Sequence, residues 1–401
     1  MKYRRQYKDP IVYWPITQFL DYAFMNRWDC PIPLFTFGLY VIVLFYTLLL
    51  KRSNKATIRT PGLIGFMGLA LLIPTLFTSL LQTEYLLIHS IDRYISLIFI
   101  FYLIIYYGKR INEKIDTITV MMFNYVLIAF VFYIYKISEN NYIVDLMTLR
   151  DGLSLFGTNS FIAYIFCFCL LLKTMGKIKE YYFFLIAGSI MSVIYVSRGG
   201  FAIAILLIAT ELLYNKGGIK KFLFILIAAF VAGSILLNNP MVLNRLSSTF
   251  EEIQAGTLYS EDNRSMIFAF SYDYLQQPQN IDVLFYGLGL DQFRYINPWN
   301  YSDPHNTLVD AIFTAGFLFF LSIFFMMLNI TRRSRYKFTY FTFFTYVVFE
   351  GVGVVSLKGE LSSGYLLFLV SLTYFYLSSP YAQSGNVRLV NTDISKKGDI
   401  L

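Results

Sequence analysis

The chain has 401 residues, of which 57% are hydrophobic and only 14% are charged, and its formal net charge is +8. A soluble globular domain carries about 25% charged residues, so this composition excludes an ordinary water-soluble fold. Runs of about 20 mostly apolar residues follow one another, separated by short charged clusters, as in helical membrane proteins. The sequence therefore predicts an all-α integral membrane bundle.

Twelve apolar runs have about the length of a membrane crossing. They cover residues 11–28, 33–50, 61–82, 84–107, 118–137, 158–172, 181–196, 199–214, 222–237, 305–330, 338–355 and 363–379. The first run contains Pro15, Gln18 and Asp21, and therefore also fits a half-buried or interfacial helix. The sequence thus predicts about 12 transmembrane helices.

The positive charges predict the orientation of these crossings. Of the 33 Lys and Arg residues, 24 fall in segments on the same side as the N-terminus, and seven fall on the other side. Because short basic loops stay in the cytoplasm, we expect a cytoplasmic N-terminus. The same bias explains the net charge without nucleic-acid binding, since basic clusters lie beside anionic lipid headgroups.

The predicted crossings divide the chain unevenly. Residues 1–237 hold crossings 1–9, residues 238–304 form one large outward-facing loop, residues 305–379 hold crossings 10–12, and residues 380–401 form a cytoplasmic tail. A connection as long as this extracytoplasmic loop is usually functional.

Two structures are predicted inside the large loop. Residues 263–275 have the spacing of a helix that lies against the membrane surface or the bundle. Its packed side chains would be Ile267, Phe268, Phe270 and Tyr274. Further along, the Gly287-Leu288-Gly289 sequence predicts a turn.

Arginine residues on the outer side are candidates for chemistry. Arg198 lies in the Ser-Arg-Gly-Gly sequence of residues 197–200, where two glycines permit a tight turn and a close approach of the backbone to a ligand. Arg264 and Arg294 lie in the large loop, and arginine binds phosphate oxygens through paired hydrogen bonds. The ordinary alternatives are a helix anchor for Arg198 and a surface ion pair with Asp262 for Arg264.

The two histidines lie near the outer ends of predicted crossings. Asp303 and Pro304 predict an N-cap and the first helical residue of the tenth crossing, which would place His305 in its first turn. A helix N-terminus disfavours an imidazolium, so we expect a neutral His305 that accepts a proton or orients a hydroxyl. A simple neighbour of an interfacial cap is the alternative.

His89 lies with Asp92 and Arg93 in the fourth crossing, at spacings that face one another on a helix. Ionisable residues inside a membrane usually pair, face the interior or line a wet cavity. The cluster is therefore either a functional site or a structural network of Asp92 and Arg93.

Four motifs follow one another in the second half of the chain. They are Ser197-Arg198-Gly199-Gly200-Phe201, Asn263-Arg264, the glycine-rich turn of residues 285–293, and Pro304-His305-Asn306-Thr307-Leu308 ahead of Gly316. This ordered set resembles the bacterial O-antigen polymerase and O-antigen ligase family, which comprises integral-membrane glycosyltransferases. The chain departs from the family pattern at Thr314, where an acidic residue is frequent, and at Phe319, where a glycine is frequent.

The resemblance implies a GT-C-like membrane bundle that polymerises O-antigen or capsular-type polysaccharide without a metal or other cofactor. The substrate would be an oligosaccharide linked to polyprenyl diphosphate, at the outer leaflet of the bacterial plasma membrane. Flippase and chain-length regulator proteins would be its partners. Arg198 and Arg264 would stabilise the leaving diphosphate, and His305 would activate the acceptor hydroxyl. Further substrate contacts are expected from Arg294, Arg93, His89 and Asn306.

Other functions stay open at this point. An O-antigen ligase, which transfers finished polysaccharide to a lipid acceptor, carries the same motifs. A lipid-sugar flippase or small-molecule transporter would use His89, Asp92 and Arg93 as a translocation site, and a non-catalytic scaffold would use none of these residues. The sugars, their linkage and the chain length depend on the shape of a pocket rather than on motifs.

Overall fold

The computed structural model describes residues 7–28, 34–49, 59–81, 84–139, 158–194, 197–214, 263–290, 292–299 and 306–349, residues 364–379, and the single residues 247, 251 and 304. Side chains within a few helical stretches of these ranges are not described. In this part of the chain the regular structure is helical and no strand occurs. The predicted all-α class is thereby confirmed for the described residues.

The described ranges consist mainly of helices. In chain order they are α1 (Trp14–Trp28), α2 (Leu34–Leu49), α3 (Gly62–Leu81), α4 (Glu84–Gly108), α5 (Ile111–Glu139), α6 (Thr158–Thr174), α7 (Ile178–Ile194), α8 (Arg198–Tyr214), α9 (Asn263–Gln276), α10 (Ile281–Tyr286), α11 (Phe293–Ile296), α12 (Thr307–Arg333), α13 (Lys337–Phe349) and α14 (Tyr365–Leu377). Short 3-10 helices at Pro10–Tyr13 and Pro278–Asn280 precede α1 and α10.

Each predicted crossing except the ninth coincides with a helix. Most ends agree within a few residues, but α5 begins at Ile111 rather than at residue 118. The ninth predicted crossing, 222–237, lies outside the described residues. Two helical stretches are long and apolar enough to cross a membrane, Ile111–Phe132 of α5 and Thr307–Arg333 of α12, and six shorter apolar stretches accompany them.

Helices α6 and α14 form the centre of the bundle. Every side chain from Phe161 to Lys173 in α6 is buried, and nearly every one in α14 is buried as well. A helix that is apolar on all sides must be surrounded by others, and α14 indeed packs against α4, α6 and α12. Trp14 of α1 stacks on Tyr365 of α14 with ring centroids 4.2 Å apart, which attaches the first helix to this core.

The polar residues of the first predicted crossing face inward. Gln18 and Asp21 of α1 are both buried. The Asp21 carboxylate accepts hydrogen bonds of 2.7 Å from the backbone N–H groups of Phe35 and Thr36, in the first turn of α2. Those N–H groups have no partner within their own helix. Asp21 therefore caps α2 from the neighbouring helix.

Lysines of the predicted inner segments form ion pairs at one end of the bundle. Lys114 at the start of α5 pairs with the buried Asp9 at 2.6 Å, and Lys177 after α6 pairs with Asp116. Lys173 at the end of α6 pairs with Glu211 near the end of α8. The start of α5 and the ends of α6 and α8 thus lie together, as an alternating up-and-down arrangement requires.

Candidate functional site

The described helices of the large loop pack on the first half of α12. Ile267 of α9, Val283 of α10 and Phe293 of α11 are buried in a small cluster with Phe313 of α12. The rings of Phe293 and Phe313 are 4.9 Å apart and nearly perpendicular. The predicted helix over 263–275 is confirmed as α9, and it lies against the bundle.

One residue of the predicted packing face of α9 points elsewhere. Ile267 is fully buried, and Phe270 and Tyr274 pack against the small cluster, but Phe268 is exposed. Burial raises the pKa of the Tyr274 phenol, and the Asp282 carboxylate adds to this effect, so the hydroxyl stays protonated at neutral pH.

The predicted turn at residues 287–289 inserts into a break in α12. Gly316 has a φ of +80°, which interrupts the helix, and the Leu288 N–H donates a 2.6 Å hydrogen bond to the carbonyl of Phe313. A Cβ at Gly316 would overlap the carbonyl of Phe285, and a Cβ at Gly287 would lie 2.6 Å from the Ala315 nitrogen. The glycines of two predicted motifs therefore meet directly.

The two positions that depart from the family pattern flank this contact. The backbone of Thr314 lies against Gly287, and its side chain is buried. Phe319 is fully buried in the main core, one turn beyond the break. Both departures thus fall where α12 packs.

The predicted start of α12 is wrong by three residues. The N-cap is Asn306, and the helix begins at Thr307, whereas Asp303 had been predicted as the cap. The Asn306 side-chain oxygen accepts hydrogen bonds from the N–H groups of Leu308 at 3.0 Å and Val309 at 3.2 Å. Because this oxygen already has two donors, Asn306 would contact a substrate through its amide nitrogen.

The start of α12 is also fixed to the end of α13. The Thr307 hydroxyl donates a 2.9 Å hydrogen bond to the carbonyl of Val347. Pro304, just ahead of the cap, is buried. His305 lies outside the described residues, so its predicted role as a base stays a prediction.

The Ser-Arg-Gly-Gly sequence forms the predicted tight turn at the start of α8. The Ser197 hydroxyl accepts a 3.1 Å hydrogen bond from the Gly200 N–H, and the Ser197 N–H donates to the Ser192 carbonyl at 3.0 Å. A Cβ at Gly200 would lie 2.9 Å from the Ile162 side chain. Gly200 therefore lets α8 pack closely on α6 and α7, and Arg198 is the first residue of α8.

The predicted arginines belong to α8, α9 and α11. The side chains of Arg198, Arg264 and Arg294 lie outside the described residues, but their backbone positions are defined. Arg264 lies one helical turn before Ile267, and Arg294 directly follows Phe293, so both border the small cluster beside α12. Helix α8, which begins at Arg198, packs against α13, which itself packs against α12.

Helix α3 borders the turn, and α4 packs against α3. His89, Asp92 and Arg93 belong to α4, and their side chains lie outside the described residues. The Tyr94 hydroxyl donates a 2.8 Å hydrogen bond to the carbonyl of Thr75 in α3. A Cβ at Gly289 would lie 2.9 Å from the hydroxyl oxygen of Thr78, so α3 touches the turn directly.

The contribution of Thr78 was missed from the sequence. Thr78 belongs to none of the predicted motifs. Its hydroxyl donates hydrogen bonds to the carbonyls of Pro74 and Thr75, both at 3.1 Å. These carbonyls lie four and three residues before Thr78 and are the usual acceptors for a threonine inside a helix. No motif in the sequence indicates the contact of Thr78 with the turn.

Among the described residues, no group of three or more His, Cys, Asp or Glu side chains could hold a metal ion. The site is thus a set of backbone contacts: α8, α9, α11 and α12 carry the predicted motifs, and α3 touches the turn at Gly289. Comparison of the chain with protein-family models and with curated proteins gave no match.

Proposed function

We propose that the protein spans the bacterial plasma membrane about twelve times, with a cytoplasmic N-terminus. Helices at the periphery of the bundle expose large apolar side chains, among them Phe45 of α2, Ile134 of α5 and Phe341 of α13. Many exposed apolar side chains are unfavourable in water and are expected next to lipid. The surface and the two long apolar helices together support this arrangement.

Within that membrane the protein is a glycosyltransferase that polymerises oligosaccharide units carried on polyprenyl diphosphate. The observation that supports this function is the junction of Gly287 with Gly316. It joins the loop that bears Arg264 and Arg294 to the helix that Asn306 caps. Segments distant in sequence thus lie along the first half of one helix, which supports a shared site.

The reaction needs a base, a stabilised leaving group and exclusion of water. The acceptor hydroxyl oxygen attacks the anomeric carbon of the donor sugar, and the bond from that carbon to the diphosphate oxygen breaks. The hydroxyl proton passes to His305, and polyprenyl diphosphate leaves with the bonding electron pair. Negative charge develops on the diphosphate, where Arg198 and Arg264 stabilise it without a metal ion.

The test is the profile of lipid-linked glycans in cells that lack the protein. Wild type and the variants Arg198→Ala, Arg264→Ala and His305→Ala are supplied at equal membrane levels, with Lys179→Ala at an exposed inner position as the matched control. We expect the wild type and the control to restore long polymer, while single repeat units accumulate with the three variants. Normal polymer with Arg198→Ala would reject the proposed chemistry.

Two other outcomes identify the alternative functions. Long polymer that never reaches its final acceptor would indicate a ligase, and intermediates retained on the inner leaflet would indicate a flippase. The break in α12 is itself a feature of transporters, whose interrupted helices expose carbonyls to a bound ion. Here the Phe313 carbonyl at the break already accepts the Leu288 N–H, which favours a structural junction.

A further inference from the structure

The turn of residues 285–288 lies beside α12 rather than above its end. Gly316, which contacts the Phe285 carbonyl, follows Thr307 by nine residues. At a rise of about 1.5 Å per residue, the contact lies about 14 Å along the helix from its start. Helix α12 has 27 residues, or about 40 Å, against a hydrocarbon core of about 30 Å. A centred α12 would hold Gly316 several ångströms below the outer boundary of the core.

The chain reaches this level and then turns back. Val283 on the way in and Phe293 on the way out both pack in the cluster with Phe313. Between them, the backbone at Phe285 lies against Gly316, and Leu288 is already bonded to Phe313, about one turn nearer the start of α12. The deepest point of the segment is therefore next to Phe285 and Tyr286.

The backbone at this depth is paired, as a lipid environment requires. The Leu288 N–H donates to Phe313, and the Gly287 N–H donates to the carbonyl of Val283 at 2.9 Å. Irregular backbone is tolerated at membrane depth only where protein satisfies its polar groups. Glycine at 287 and 316 allows the two backbones to come close enough for this pairing.

The side chains at the deepest point face away from the protein. Phe285 is 54% exposed and Tyr286 is 59% exposed, and Phe317 and Leu318, next to the break in α12, are exposed as well. The four exposed side chains thus lie close to one another beside the break in α12. Large apolar groups so placed match the acyl chains of a lipid leaflet.

We infer that residues 281–290 form a re-entrant element that enters the outer leaflet and contacts acyl chains through Phe285 and Tyr286. The inference rests on the proposed function in one respect, that α12 crosses the membrane. It assigns to the large loop a lipid contact in addition to its contacts with the bundle. The loop would thereby hold the motif arginines at the depth of lipid diphosphate headgroups.

The experiment measures the depth of nitroxide labels in vesicles of phosphatidylethanolamine and phosphatidylglycerol. The full chain carries Cys30→Ser, and its buried Cys167 and Cys169 are retained. One label is placed at Tyr286→Cys, with Phe324→Cys on the exposed face of α12 as the lipid reference and Gln276→Cys at the exposed end of α9 as the aqueous reference. The accessibilities to oxygen and to a water-soluble nickel chelate are compared.

We expect the oxygen-to-chelate ratio at position 286 to resemble that at 324 and to exceed that at 276 several-fold. A ratio like that at 276, with a lipid-like ratio at 324, would overturn the inference while leaving the crossing of α12 intact. Low accessibility to both reagents would mean that protein covers the surface and would also overturn it. A chelate-accessible label at 324 would reject the membrane crossing itself. Phe285→Cys repeats the measurement if the Tyr286 variant does not fold.

Discussion

Gly316 is subject to two separate constraints. Its φ of +80° is unfavourable for any residue with a Cβ, and a Cβ would also overlap the carbonyl of Phe285. Gly176 has nearly the same φ, +75°, but no atom lies within 4 Å of the position of a Cβ. The pair separates the effect of backbone conformation from the effect of the contact with the loop.

We expect Gly176→Ala to lower the free energy of unfolding by about 1 kcal/mol, the usual cost of a left-handed alanine. Gly316→Ala should cost more and should also abolish polymer synthesis, because the loop must move off α12. Thermal unfolding in detergent and the lipid-linked glycan ladder measure the two effects. Equal unfolding temperatures for the two variants would show that the junction contributes nothing to stability.

Two lysine ion pairs at the predicted inner end differ in burial. The side chains of Lys173 and Glu211 are 7% and 6% exposed, whereas those of Lys177 and Asp116 are 32% and 39% exposed. Removing one partner of a buried pair costs about 3–5 kcal/mol because the other charge stays buried alone. Removing one partner of an exposed pair costs about 0–1 kcal/mol.

We therefore expect Lys173→Met to lower the unfolding temperature strongly and Lys177→Met to lower it little. The double variant Lys173→Met with Glu211→Gln should recover much of the loss, because no unpaired buried charge remains. Differential scanning calorimetry in detergent gives the comparison. A double variant as unstable as Lys173→Met alone would mean that packing, rather than charge, carries the effect. Tyr181, which donates to Glu211 at 2.8 Å, keeps its hydrogen bond to the glutamine oxygen in this design.

At the scale of single elements, Asn306 has one established contact and one predicted contact. Its oxygen caps α12, and its amide nitrogen is the group left for a substrate. Asn306→Asp keeps the capping oxygen, so stability should be unchanged, whereas Asn306→Ala should lose about 1 kcal/mol. If the amide nitrogen donates to the substrate, loss of that hydrogen bond of about 1.5 kcal/mol should slow polymerisation about tenfold in the Asp variant.

The stability of the Asp and Ala variants is measured by thermal unfolding, and their polymerisation rate is measured on purified lipid-linked substrate. Full activity of Asn306→Asp would mean that the amide nitrogen does not contact the substrate and that Asn306 acts only as a cap. Full activity of both variants would mean, in addition, that polymerisation does not depend on the cap.

Most helices were predictable because runs of apolar residues with basic ends specify them locally. The start of α12 was not, since Asp303 and Asn306 are both good caps and local sequence does not choose between them. The exposure of Phe268 was missed for a similar reason. Apolar residues of α9 occur on several of its faces, so the sequence does not indicate which face is buried.

The break in α12 depends on distant residues. A glycine inside an apolar run is compatible with an unbroken helix, so Gly316 alone gives no signal of a kink. The break is stabilised by Leu288 and Phe285, which precede it by about 30 residues and reach it only after the loop has folded. Motif order could therefore indicate that these glycines matter, but not that they touch.

At the scale of the whole molecule, the orientation of the bundle follows from a charge count and can be tested at its two ends. Lys179, in the first turn of α7, and Gln279, between α9 and α10, are both exposed. The first position adjoins the lysine ion pairs, and the second belongs to the large loop. In intact cells whose protein carries Cys30→Ser, a membrane-impermeant thiol reagent should therefore label Gln279→Cys and not Lys179→Cys.

Permeabilised cells supply the control for this topology, because both cysteines should then react and thereby prove accessible. Labelling of Lys179→Cys alone in intact cells would show that the orientation is opposite to the proposed one. The chemistry proposed for Arg198, Arg264 and His305 would then face the cytoplasm, where lipid-linked units are not yet delivered to the outer leaflet. Labelling of both positions in intact cells would instead contradict the proposal that a membrane separates the two ends of the bundle. Labelling at Lys179→Cys and Gln279→Cys therefore tests both the orientation and the proposed site of the reaction.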